Sequence, residues 1–152
     1  MSDEIIIRRA SVADVADLVR LRRMMFETMG FDDPAQLDAA DAAAAAYFTE
    51  TIPAGRFHGW LAVTPTGVAV GSGGVVIDQH LLGPSNLSGQ IGHIMNLATA
   101  PRYRRQGFAR RIMQAMLKWL AERGIQQVTL HTTDMGRSLY EELAAAKSDG
   151  NR

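Results

Sequence analysis

Residues 91–111 read IGHIMNLATAPRYRRQGFARR, and this order of residue types decides how the rest of the chain is read. An apolar run stops at Pro101, arginines and Gly107 follow, and a helix begins. A junction of this kind turns the first helical amides outward, without intrahelical partners and partly positive. Arg102, Arg104, Arg105, Arg110 and Arg111 crowd the same point. A helix N-terminus inside a cationic collar suits a phosphate or diphosphate. The plain alternative is a solvated basic face on a surface helix. Two features weigh against it. Pro101 and Gly107 bracket the arginines, and the helix behind them carries Ile112, Ala115, Met116, Trp119 and Leu120 on one stripe.

Working outward, 152 residues suffice for one domain with a proper core, so residues 1–152 are read as a single domain. Sixteen acidic residues balance sixteen basic ones, which gives no reason to expect nucleic-acid or membrane binding. With no cysteine, disulfides, thiolate metal sites and cysteine nucleophiles are excluded. His58, His80, His93 and His131 show no metal-ligand spacing, and no metal is expected. No apolar leader or membrane span is visible, so a cytoplasmic location is the default expectation.

Strands and helices alternate along the chain. Residues 5–9 read as a strand. Ser11 caps a helix running to about Met29, with Val12, Val15, Ala16 and Val19 as its core face. Pro34 opens an alanine-rich helix to about Thr51. Residues 57–63 and 68–78 form a hairpin, whose Gly71, Gly73 and Gly74 mark a bulge or a close approach. After a loop at 80–90 come a strand at 91–97, a helix at 107–123, a strand at 127–132 and a helix at 134–146. The order βααβββαβα is a mixed α/β arrangement in three layers.

Arg104-Arg105-Gln106-Gly107-Phe108-Ala109 resembles the Arg/Gln-x-x-Gly-x-Gly/Ala loop of the GNAT superfamily of acyl-CoA-dependent N-acetyltransferases. Residues 95–103 look like that family's fourth strand and its exit, 124–131 like its fifth strand, and 136–143 like the next helix with its signature tyrosine. The resemblance spans about residues 5–143. It implies a three-layer α/β/α fold with a mixed sheet splayed between strands four and five. It also implies transfer of an acetyl group from acetyl-CoA to a primary amine, on a small molecule or a protein, by direct attack in a ternary complex.

The same resemblance assigns roles. The pantetheine arm of coenzyme A would lie along Leu97, Ala98 and Thr99, with a backbone N–H near Leu97 polarising the thioester carbonyl. The diphosphate would sit on Arg105, Gln106, Gly107, Phe108 and Ala109, with charge from Arg104 and Arg110. Arg102 would reach the 3′-phosphate, and Thr133 would hydrogen-bond the cofactor. Tyr140 would be the general acid; its alternative is packing with the hydroxyl at the rim. Many relatives carry a glutamate on the fourth strand, and this chain does not. His93 is then the candidate base, with Asp78 or solvent as alternatives. Arg22, Arg23, Met24, Phe26 and Glu27 are candidate acceptor contacts, against a reading as solvated and core residues.

One departure stands out. Relatives continue from the tyrosine helix into further strands, whereas residues 144–152 are polar and short. Three explanations stay open: cover by a partner chain in a homodimer, truncation, or a non-catalytic acyl-CoA-binding or sensing domain.

Overall fold

A computed structural model describes residues 4–131 and 140–143. Its elements are β1 (Ile6–Arg9), α1 (Val15–Thr28), α2 (Pro34–Thr51), β2 (His58–Val63), β3 (Ala69–Gln79), β4 (Gln90–Thr99), α3 (Phe108–Glu122) and β5 (Gln127–His131). Residues 140–143 are helical; the remainder of the last expected helix lies outside the described residues. The five strands form one sheet in the order β1-β2-β3-β4-β5. All neighbours are antiparallel except β4 and β5, which run parallel because α3 crosses over between them. Among the described residues no helix is long and apolar enough to cross a membrane.

A polar device sets the rotation of α1. Ser11 accepts from the Ala13 amide, and the Asp14 carboxylate accepts from the Ser11 amide at 2.8 Å, a capping box. Arg8 grips both oxygens of the same carboxylate at 2.9 Å. The Arg8 hydrogen bonds pull the Asp14 pKa down to about 2, against the opposing effect of burial. With Asp14 turned inward, Leu18 and Leu21 follow it and are fully buried. This corrects the core face expected from sequence. Val12 is 47% exposed, Ala16 is at the surface, and Val15 and Val19 only flank the core.

Across the sheet, α3 buries Phe108, Ile112, Met113, Met116 and Leu120, with Ala115 and Trp119 half-buried beside them. The stripe expected from spacing is present, with Met113 added to it. Glycines let this helix come close. A Cβ on Gly73 would lie 2.7 Å from Ile112 Cγ2, and one on Gly92 would lie 2.8 Å from Leu120 Cδ2. The glycine-rich segment of β3 is both of the things expected: a close approach, and a register shift between Ser72 and Gly74.

That shift has its counterpart in β4. Ser72 pairs with Ala98 and Gly74 with Met95, so Asn96 and Leu97 both stand opposite Gly73. Asn96 takes a left-handed backbone (φ 61°), which asparagine tolerates better than most residues. Pairing with β5 runs from Ile91↔Gln127 to Met95↔His131. Beyond Met95, β4 continues to Thr99. Along that length no strand among the described residues pairs with its β5-side edge. The described part of β5 ends at His131, the partner of Met95.

Candidate active site

The loop between β4 and α3 is shaped to hold an anion. Arg105 (φ 64°) and Gly107 (φ 84°) both adopt left-handed backbone, which turns successive amides to one side. None of the amides from Arg105 through Ala109 donates to an acceptor of the described residues. The collar of arginines divides into two groups. Arg104 leaves the loop mouth: its Nε donates to the Thr99 carbonyl at 3.1 Å and its Nη2 to Thr28 Oγ1 at 2.8 Å. Arg110 pairs with Glu142 on the last helical segment. Arg102 lies over the Tyr103 ring, and Gln106 Nε2 donates to the Arg102 carbonyl at 3.2 Å. Arg105 and Arg111 make no ion pair with the described residues.

Leu97, Ala98 and Thr99 are buried at the end of β4. Their strand pairs with β3 on one side. The strand end runs directly into the loop amides, whose unpaired N–H groups suit the diphosphate of an extended ligand.

His93 lies upstream on β4, where the pleat puts it on the same face as Met95, opposite α3. Its Nε2 is 2.8 Å from Asp78 Oδ2 on β3, and its Nδ1 hydrogen-bonds Thr129 Oγ1 on β5. With Asp78 ionised, Nε2 carries the proton and Nδ1 accepts from the threonine. The two sequence candidates for base, His93 and Asp78, are therefore one unit. His80 joins them with Nε2 3.9 Å from Asp78 Oδ2. Ligand-capable atoms of Asp78, His80 and His93 all lie within 4.8 Å of one another, close enough to share a cation. Linear spacing hid this cluster, because strand register assembles it.

A pocket of about 430 Å³ opens between α1, α2 and β4. Phe26, Ala40, Ala43, Ala44, Tyr47, Phe48, Phe57 and Met95 make it apolar, and Arg22 and Asn96 supply its polar groups. Arg22 Nη1 donates to Asn96 Oδ1 at 3.2 Å, and the guanidinium lies over the Phe26 ring, 4.7 Å from its centre. Burial lowers the Arg22 pKa. Asn96 is 2% exposed, and its Nδ2 has no acceptor among the described residues. Of the residues of α1 expected at an acceptor site, Arg22 and Phe26 line the pocket. Arg23 instead pairs with Asp38 and Asp41 at 2.8 Å and with Glu27 at 3.7 Å, and the first two raise its pKa. Met24 and Glu27 do not line it.

Tyr140 is half-buried and packs on the α3 side of the core. Thr133 lies outside the described residues.

Known proteins give this geometry a context. The family model described as acetyltransferase (GNAT) family matches residues 18–144. The fold is similar to that of a GCN5-related N-acetyltransferase from Ralstonia eutropha JMP134, with 26% identity over 91% of this chain and 90% of that one, at a TM-score of 0.81. It is similar also to a predicted acetyltransferase from Clostridium acetobutylicum solved with acetyl-CoA, with 21% identity, 91% and 88% coverage, and a TM-score of 0.80. Glucosamine-6-phosphate N-acetyltransferase from Arabidopsis thaliana shares the fold at 18% identity, 91% and 88% coverage, and a TM-score of 0.68. No curated protein matches the chain at a significant level. With a family model covering most of its length, the chain belongs to the GNAT family of acetyltransferases and is an acyltransferase.

Proposed function

We propose that the protein transfers the acetyl group of acetyl-CoA to a primary amine by direct attack in a ternary complex. The observation that carries this reading is the row of unpaired amides in the Gly107 loop directly after β4, in a chain of the GNAT family. Acetyl-CoA supplies an activated thioester. The amides of Arg105 through Ala109 hold its diphosphate, with Arg105 and Arg102 as the mobile charges and Arg110 at the side. Arg104 acts mainly as the brace that holds the loop in shape. Leu97, Ala98 and Thr99 hold the pantetheine arm, and the Leu97 N–H polarises the acyl carbonyl. Thr133 contributes a further hydrogen bond to the cofactor.

The amine nitrogen forms the new C–N bond as the C–S bond breaks. His93, steadied by Asp78, takes up at Nδ1 the proton the nitrogen releases, through water or the Thr129 hydroxyl that already donates there. Its position, two residues before Met95 on the same face, is about 7 Å along the strand from the pocket floor. Tyr140 donates a proton to the departing thiolate. We read residues 1–152 as one domain, and expect a homodimer to cover the outer edge of β5; light scattering that finds only monomer at micromolar concentration removes the dimer.

Thiol release from acetyl-CoA across an amine panel tests the reaction. The expected outcome is amine-dependent release that falls on the order of 10²-fold or more in Tyr140→Phe and in His93→Ala, with acetyl-CoA binding retained. Folded protein that binds no acetyl-CoA in a calorimeter overturns the proposal. A Tyr140→Phe variant as fast as the parent removes the acid role alone.

A further inference from the structure

The pocket between α1 and α2 holds a positive charge that no carboxylate of the described residues compensates. Arg22 and Arg23 are neighbours, about 100° apart around α1. Arg23 meets Asp38, Asp41 and Glu27. Arg22 is the more buried of the two and meets none: no carboxylate of the described residues lies within ion-pair distance of it. Its one hydrogen bond goes to Asn96 Oδ1. A guanidinium carries five N–H donors, so Nε and Nη2 keep a fork to offer. Beside it Asn96 Nδ2 is a buried donor with no acceptor. Orphaned buried donors are uncommon, and a half-buried cation without an ion pair carries a cost as well. Both costs sit in one apolar pocket on the face of the sheet that carries Met95 and His93.

We infer that the acceptor is an amine carrying a carboxylate on an apolar body, the carboxylate being taken by the Arg22 fork and the Asn96 amide while the pocket wall takes the apolar part. This rests on the acetyl-transfer reading above. A carboxylate completes both orphaned groups at once. Bidentate pairing to a guanidinium is the strongest polar contact open to such a site. One guanidinium and one amide balance a single negative charge, which favours a carboxylate over a dianionic phosphate monoester. The same charge repels a second ammonium, so polyamines and polycationic sugars are poor acceptors. The apolar walls from Phe26, Tyr47 and Met95 favour an aromatic or branched aliphatic body over a sugar.

Matched acid and amide pairs test this without altering the protein. L-phenylalanine against L-phenylalaninamide, L-leucine against L-leucinamide, and 4-(aminomethyl)benzoate against its carboxamide are compared for kcat/KM, with spermidine alongside. The N-acetylated members are titrated calorimetrically, so that a slow reaction does not hide recognition. The expected result is a preference of about 10- to 100-fold for the acid in at least one pair. Arg22→Gln should abolish that preference by slowing the acid and sparing the amide, and Arg22→Lys should restore part of it. Equal use or tighter binding of the amides, an Arg22→Gln variant with the preference intact, spermidine as the best acceptor, or no binding by any acid overturns the inference. Acetyl-CoA binding, measured separately, decides the acetyl-transfer reading; its failure would leave the acid-binding arm to decide this one.

Discussion

Both faces of the sheet use glycines for close packing, and the α1/α2 face also uses small residues to keep a hollow. On the α3 face, glycines at 73 and 92 remove side chains so that Ile112, Met116 and Leu120 settle directly onto the strands. On the α1/α2 face, alanines at 40, 43 and 44 remove side chains from a helix and leave a pocket of about 430 Å³. Gly74 does for that face what Gly73 and Gly92 do for the other: a Cβ there would overlap the Phe57 ring, so the α1/α2 face gains both close packing and room from its small residues. The fastening differs too. Apolar contact holds the helices on both faces, and on the α1/α2 face the pairs among Asp14, Arg8, Arg23, Asp38 and Asp41 are added to it. A binding protein needs both: a rigid back to fix the strands, and a hollow front whose walls do not depend on being filled.

Three substitutions press on this contrast. Gly73→Leu is the harshest. Its Cβ alone would stand 2.7 Å from Ile112 Cγ2 and 2.9 Å from Met116 Cε. The loss should reach the top of the roughly 1–3 kcal/mol overpacking range or pass it, seen as a lower urea midpoint. A near-neutral result would mean that α3 is not seated as closely as the contrast requires.

Asp14→Asn comes next, at about 1–2 kcal/mol at pH 7, allowing for the partial exposure of Arg8. The folded-state pKa of Asp14 lies below its ordinary value of 3.8, at about 2. Its contribution is therefore complete above the unfolded value and is lost as pH falls through 4 toward 2. Parent and variant stabilities should converge over that window in acid titrations followed by circular dichroism.

Ala43→Leu should have the smallest effect on stability, within about 0.5 kcal/mol, because it grows into open space on an exposed position. It should nonetheless raise the acceptor KM about tenfold while leaving acetyl-CoA affinity unchanged. If it destabilises as much as Gly73→Leu, the front of the sheet is not hollow in the sense argued.

The β4–α3 junction was legible in sequence because its signals are local: a proline, a left-handed glycine and a strong helical stripe within one short run. The alanine-rich helix was legible from propensity alone. The inward face of α1 was not. Val12, Val15, Ala16 and Val19 form a credible stripe, but a buried carboxylate at position 14 turned the helix instead, and hydrophobic patterning has no symbol for that. The union of Asp78, His93 and Thr129 depends on the register of three strands at once. Arg22 and Arg23 are identical letters side by side, and only the position of α2 decides which one is neutralised.

Arg104 has a consequence for reach. It belongs to the anion-binding loop, yet its guanidinium is clasped by the last residue of α1 and by the end of β4. The helix so clasped is the one that bears Arg22. On the proposed reading, this single side chain gauges the span between the diphosphate and the acceptor's acid group, the two outermost handles on the reactants. Shortening that side chain should disturb alignment at the midpoint more than grip at either end.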